Sequence, residues 1–206
     1  MCKRIPGFAN VLPVLAALLV FLFLAGGVCA QRGAITRPQN LNELVDESAV
    51  IVRGQVVSAR VEPHPQYKAL STVMVTLRVQ ETMKGQAGET YTFRQYIWDL
   101  RDRGDAAGYR KGQQLLLLLI APNANGLSSP VGLEQGRFRI ERDAQGREFA
   151  VNGFGNAGLL RDVQKQAAKK GTPLSQQQAR VAEEHRSGPL ALDELRGIIR
   201  QLAGAK

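Results

Sequence analysis

Hydrophobic and polar positions alternate over much of the chain's first two thirds. Val73, Val75, Leu77 and Val79 interleave with Met74, Thr76, Arg78 and Gln80. This period of two belongs to a half-buried strand and predicts one over residues 72–83. Residues 50–57, 89–98, 133–140 and 148–151 carry the same β-branched and aromatic texture and predict further strands. Gly54, inside the first of these, signals a bulge or a close backbone approach. Leu115 to Ile120 is continuously apolar, too short to span a bilayer and suited to a strand buried on both faces. Residues 84–88, 122–130 and 143–146 supply the turns.

Helical periodicity marks the two ends of this β-rich stretch. Leu41, Leu44 and Val45 share one face of a short helix over 38–47, for which Asn40 and Glu43 have the spacing of a capping box. Residues 189–202 form an amphipathic helix, with Leu192, Leu195, Ile198, Ile199 and Leu202 in one stripe that needs a docking surface. Between Gly158 and Pro189 the chain is polar and predicts a linker or a weak helix, which Thr172-Pro173 could open. The expected organisation is a leader at 1–30, a β domain at 31–158, a polar connection at 159–188 and a helical tail at 189–206.

Lys3 and Arg4 precede an apolar run from Val11 to Ala25, and Val28-Cys29-Ala30 has the small residues of a cleavage site. This is the pattern of an export signal, so a periplasmic or secreted location is expected, with no membrane span after cleavage. Retention as an anchor and lipidation at Cys29 are the alternatives. Pro13 interrupts the first, and Val28 and Gly26 are poor flanks for the second. Both cysteines, Cys2 and Cys29, fall in the leader. The remainder therefore has no disulfide, thiol nucleophile or thiolate metal site, and it must be stabilised by its core. The whole chain carries +9 and stays basic without the leader, which favours anionic partners. No block of five or more Lys and Arg occurs, and a spread of this kind also serves solubility.

The order of elements carries a resemblance. A-V-I-V-R-G-Q-V at 49–56, M-K-G at 83–85, K-G-Q-Q-L-L-L-L-L at 111–119 and G-L-E-Q-G-R-F-R-I at 132–140 resemble a group of exported bacterial proteins. Their domain is similar to the OB-type barrel of the tissue inhibitors of metalloproteinases and netrin-like modules. The likeness covers about residues 40–152 and implies a mainly β protein: a small antiparallel OB-like β-barrel with a short N-terminal helix and a C-terminal helical tail. Those inhibitors place an N-terminal cysteine on the protease zinc. Here the expected first residue is Gln31, so zinc chelation does not carry over.

Chemical motifs are sparse. Gly153-Phe154-Gly155-Asn156-Ala157-Gly158 spells G-x-G-x-x-G, but a dinucleotide site needs that turn inside a βαβ unit, and glycines closing a β domain explain it better. His64 and His185 stand apart, and Asp99, Asp102 and Asp105 lack the spacing of a calcium loop. No G-x-S-x-G is present. No cofactor, metal or catalytic residue is assigned.

The candidate ligand-binding residues are Arg94, Tyr96, Trp98, Arg101 and Arg103. Arg94, Tyr96 and Trp98 alternate on one strand face, opposite Phe93 and Ile97, and aromatic-plus-Arg surfaces of OB-type barrels bind oligomers. The competing reading puts Tyr96 and Trp98 beneath the C-terminal helix, with the arginines solvated. The helix's need for an apolar platform favours it. The expected function is a non-enzymatic binding or accessory domain of the cell envelope. Its partner would be an envelope protein or an anionic envelope polymer rather than nucleic acid. An inhibitor-like module acting through a loop is the alternative, and an unrecognised hydrolase a third possibility. N-terminal sequencing of the protein recovered from an expressing bacterium is expected to begin at Gln31; an intact Met1 on protein from the cytosol would remove the export reading.

Overall fold

The computed structural model describes residues 36–204, so the leader, its cleavage site and both cysteines lie outside the described residues. The described chain runs α1 (Leu41–Glu47), β1 (Val50–Pro63), β2 (Ser71–Lys84), β3 (Thr90–Tyr96), β4 (Gln114–Leu119), β5 (Arg137–Arg142), β6 (Glu148–Asn152), α2 (Val163–Lys169), α3 (Gln176–Glu184), β7 (Leu190–Ala191) and α4 (Leu192–Ala203). The seven strands form one antiparallel sheet in the order β3-β2-β1-β4-β5-β6-β7.

The fold is mainly β, as the alternation predicts, but the sheet is not closed. The free edge of β4 pairs with β5, and the ladder continues outward to the two-residue β7 instead of returning to β3. On its outer side β3 meets a single parallel bridge, Arg94 to Leu127, with the Ser128 N–H donating to the Arg94 carbonyl at 2.8 Å. β1 continues to Pro63, beyond the Val57 end that the sequence suggests, because β2 pairs with it as far as Ser71.

The leucine strand separates two cores. Leu116 and Leu118 join Ile51, Phe138, Ala150, α1 and α4 on one side. Leu115, Leu117 and Leu119 join Val52, Val56, Val73, Val75, Leu77 and Phe93 on the other. Every residue from Leu115 to Leu119 is fully buried, which is why this strand is apolar without alternation.

α4 supplies its whole stripe, Leu192, Leu195, Ile198, Ile199 and Leu202, to the first core. Burial of each such side chain is worth roughly 1.5–3 kcal/mol. Glu81 of β2 accepts from Arg196 Nε at 2.7 Å and also pairs with Arg200, fixing the helix against the sheet. The polar 159–188 stretch contributes α2 and α3, whose Val163, Ala167 and Ala182 are buried in the same core. Ser175, two residues past Pro173, caps α3 with a capping box to Gln178. In α1 the predicted box is present: Asn40 Oδ1 accepts from the Glu43 N–H at 3.1 Å, and Glu43 Oε2 accepts from the Asn40 N–H at 2.9 Å. The other end of α1 is held by Lys84, whose ammonium donates to the Val45 carbonyl at 2.5 Å. A cation there opposes the negative end of the helix dipole.

Gly54 lies where the β1–β2 register shifts. A Cβ on it would stand 2.5 Å from the Arg78 carbonyl oxygen, so both the bulge and the close approach are present. Gly54→Ala is expected to lower stability by about 1–3 kcal/mol, the usual cost of overpacking. A shift of the denaturation midpoint at unchanged slope would register it, and an unchanged midpoint would refute it.

Candidate functional site

Three connections meet at one end of the sheet: the turn 64–70 between β1 and β2, the end of β3, and the loop 121–130 after β4. His64 joins the first to the third. It is 2% exposed. Its Nδ1 accepts from the backbone N–H groups of Gln66 and Tyr67 at 3.3 and 3.2 Å, so Nε2 carries the proton and donates to the Asn125 carbonyl at 2.8 Å. Tyr67 stacks on the imidazole, with centroids 5.2 Å apart. The loop is shaped from within by Asn123, whose Oδ1 accepts from the N–H groups of Asn125 and Leu127. Its return arm is tied to β3 through Arg94 and to β4 through the Leu119–Pro130 bridge.

Between the loop and the end of β3 lies a groove of about 370 Å³ lined by Tyr96, Trp98, Gln95, Asn123, Leu127 and Ser129, among others. Among the described residues none of its lining side chains is charged. Trp98 is 61% exposed and meets Tyr96 edge-on, with centroids 5.0 Å apart and the planes at 86°. This perpendicular contact is a favoured aromatic geometry, which orients the indole.

The structure brings the candidate residues Arg94, Tyr96 and Trp98 to one face of the β3 segment, while Phe93 and Ile97 are buried on the other. Tyr96 and Trp98 line the groove together. They do not lie beneath the C-terminal helix: α4 belongs to the core on the opposite side of β4, where α1 and β6 meet it.

The arginines play other parts. Arg94 donates to Thr72 Oγ1 at 2.9 Å and pairs with Glu62 at 2.6 Å, its side chain 12% exposed. Arg101 folds back on Asp99, which also accepts the Arg101 backbone N–H and so caps the short 3-10 turn at Leu100–Arg103. Arg103 is exposed on that turn. None of the three arginines lines the groove.

Behind the groove sits a group that the sequence does not announce. Tyr109 is 2% exposed, packs edge-on against Phe93, and donates its hydroxyl to Gln95 Oε1 at 2.8 Å. The Arg137 guanidinium lies 4.7 Å from the Tyr109 ring centroid, pairs with Glu134 at 2.6 Å and donates to the Ala107 carbonyl at 2.7 Å. Ala106 and Ala107 have φ of 53° and 54°, a conformation that costs a non-glycine residue of order 1–3 kcal/mol. The Arg137 hydrogen bond supports this strained backbone. Arg137, Tyr109 and Gln95 thus form a continuous chain from β5 to the groove floor. A tyrosine between Gly108 and Arg110 and an arginine opening a strand have no shared period, so sequence spacing gave no signal for the pair.

The other sequence motifs make turn and cap contacts. Asn156 of the G-x-G-x-x-G segment and Asn152 just before it hold the turn: Asn156 is fully buried, and its Nδ2 donates to the carbonyls of Ala150 and Gly188 at 2.9 and 2.8 Å. Asn152 Oδ1 accepts from the backbone N–H groups of Phe154 and Asn156. The Gly188 N–H closes on the Gly155 carbonyl at 2.7 Å. Asp105 caps the turn at Ala106–Gly108, and His185 ends α3. Among the described residues no group of three or more His, Cys, Asp or Glu is placed to hold a metal ion, and no helix is long and apolar enough to cross a membrane.

No protein-family model matches this chain, and no curated protein matches it.

Burial pushes the Tyr109 phenol up to about 12 from an ordinary 10.0. The folded state therefore keeps a proton that the unfolded chain releases, and stability falls as pH rises from 10 to 12, by up to about 1.4 kcal/mol per pH unit. Phenolate absorbance of the native protein is expected to show one of its four tyrosines titrating last. Tyr109→Phe should remove that final step and flatten the alkaline loss of stability. Identical titrations of the two proteins would contradict this assignment.

Proposed function

We propose that this protein is an exported binding module of the cell envelope, and that it engages its ligand at the Trp98–Tyr96 groove. The carrying observation is the pairing of a 61% exposed tryptophan with a concave site at the mouth of a well-packed sheet. A large apolar ring in water has a cost that ligand contact removes, and pockets of roughly 300–1,000 Å³ are the usual size for small-ligand recognition. The loops that bound the groove are tied to rigid elements by His64 and by the Arg94–Leu127 bridge, and rigid placement of this kind favours binding by limiting the ordering cost.

Export rests on the leader pattern at 1–30. The finer OB-type reading of the sheet rests on the order of strands and on the Arg94–Leu127 bridge, which curls β3 toward the loop after β4. In OB-type folds such a strand face with its adjoining loops is the binding surface.

Affinity capture from an envelope extract tests the proposal. The native protein and Phe154→Ala, which alters an exposed aromatic outside the groove lining, should retain the same material, and Trp98→Ala should lose most of it. Equal retention by all three would remove the groove as the binding site. Because Trp98 is exposed, its substitution should leave the denaturation midpoint within about 0.5 kcal/mol of the native value.

A further inference from the structure

We propose that the groove takes an uncharged saccharide unit, stacked on Trp98 and hydrogen-bonded by Asn123, Gln95 and Ser129. This assignment rests on the groove being the binding site and goes further by naming the chemical class. Three observations converge on it.

The first is the aromatic surface. The Tyr96 contact is edge-on and leaves indole surface open to solvent. An indole face carries the negative lobe of the ring quadrupole, and the C–H groups on one side of a pyranose ring present a complementary, weakly positive surface.

The second is hydrogen-bonding capacity. Asn123 uses Oδ1 to shape its loop, and its Nδ2 has no partner among the described residues. Gln95 gives Oε1 to Tyr109, and its Nε2 is likewise unengaged. The Ser129 side chain also has no partner among the described residues, whereas the Ser128 hydroxyl donates to the Ile120 carbonyl at 2.8 Å. Two amide donors and a hydroxyl beside an aromatic platform suit the ring and hydroxyl oxygens of a sugar. The Arg137–Tyr109 pair fixes the Gln95 amide from behind, so this donor is preorganised.

The third is charge. Among the described residues the groove lining holds no charged side chain; Arg94 on its flank is engaged by Glu62, and Arg101 and Arg103, exposed on the following turn, lie outside the lining. An anionic polymer would find no cation in the groove to offset its desolvation. An extended peptide would need the outer edge of β3, where the Arg94 carbonyl already accepts from Ser128; strand addition at that residue is blocked.

Trp98 is the protein's sole tryptophan, so its fluorescence reports on the groove directly. The purified protein is titrated with chitohexaose, cellohexaose and maltohexaose as neutral probes, with hexagalacturonate as the anionic probe and an unstructured polyalanine-rich peptide as the third class. At least one neutral oligosaccharide should shift the Trp98 emission saturably. Asn123→Ala, which keeps the fluorophore, should weaken that binding about tenfold, a loss equivalent to one hydrogen bond of about 1.4 kcal/mol. Phe154→Ala should bind as the native protein does. If Asn123→Ala loses its fold, Ser129→Ala replaces it, read in the same way. No saturable shift with any neutral probe, or tighter binding of hexagalacturonate or the peptide, would overturn the assignment. If Trp98→Ala abolishes envelope capture while the neutral probes give nothing, the groove stands and the saccharide falls; if capture is also unaffected, both fall.

Discussion

Everything in this molecule hangs on one strand that has no solvent face. Leu115 to Leu119 are fully buried, the odd positions in one core and the even positions in the other. Loss of any one of these side chains to alanine would cost on the order of 2–5 kcal/mol, a large fraction of the stability of an ordinary domain. Because β4 is apolar on both sides, the chain must cover it twice. The long β1–β2 hairpin with β3 curls over one face, and α1, α4 and the 159–188 helices cover the other. The tail is therefore the second half of the packing and not an appendage.

Polar contacts then fix which arrangement the two cores adopt. Lys84 anchors the carbonyl end of α1, Glu81 gathers Arg196 and Arg200, and Asn152 with Asn156 bolts the glycine turn to the return of the chain at Gly188. Buried amides must be satisfied, and a glycine-rich turn filled by two buried asparagines satisfies them locally. The same rule explains Arg94, whose largely buried guanidinium answers Glu62 and the Thr72 hydroxyl; Arg101 pairs with Asp99 at the surface.

The scaffold leaves its adaptable chemistry at one end. There the turn after β1, the end of β3 and the loop after β4 are latched by His64 and by backbone bonds, while Trp98 and a set of amide and hydroxyl groups face water. A rigid frame that carries variable loops is where recognition commonly resides. In this chain Arg137, Tyr109 and Gln95 run in contact from β5 to the groove.

The sequence by itself determined the local structure. Alternation at 72–83 and the unbroken run at 115–120 fixed a half-buried and a doubly buried strand, because side-chain period follows backbone geometry. The Asn40–Glu43 box, the bulge at Gly54 and the stripe of α4 were legible for the same reason: each depends on neighbours a few residues away. The shared face of Arg94, Tyr96 and Trp98 was also legible. Tertiary structure alone decided what that face meets. Whether the sheet closes depends on whether its two end strands, β3 and β7, find each other, and whether Trp98 is covered depends on where a helix about a hundred residues later docks; neither is encoded in a period. The pairing of Tyr109 with Arg137, the partners of Arg94 and the uncharged groove all arise from contacts between distant segments. Long-range packing chose them, and the local pattern could not.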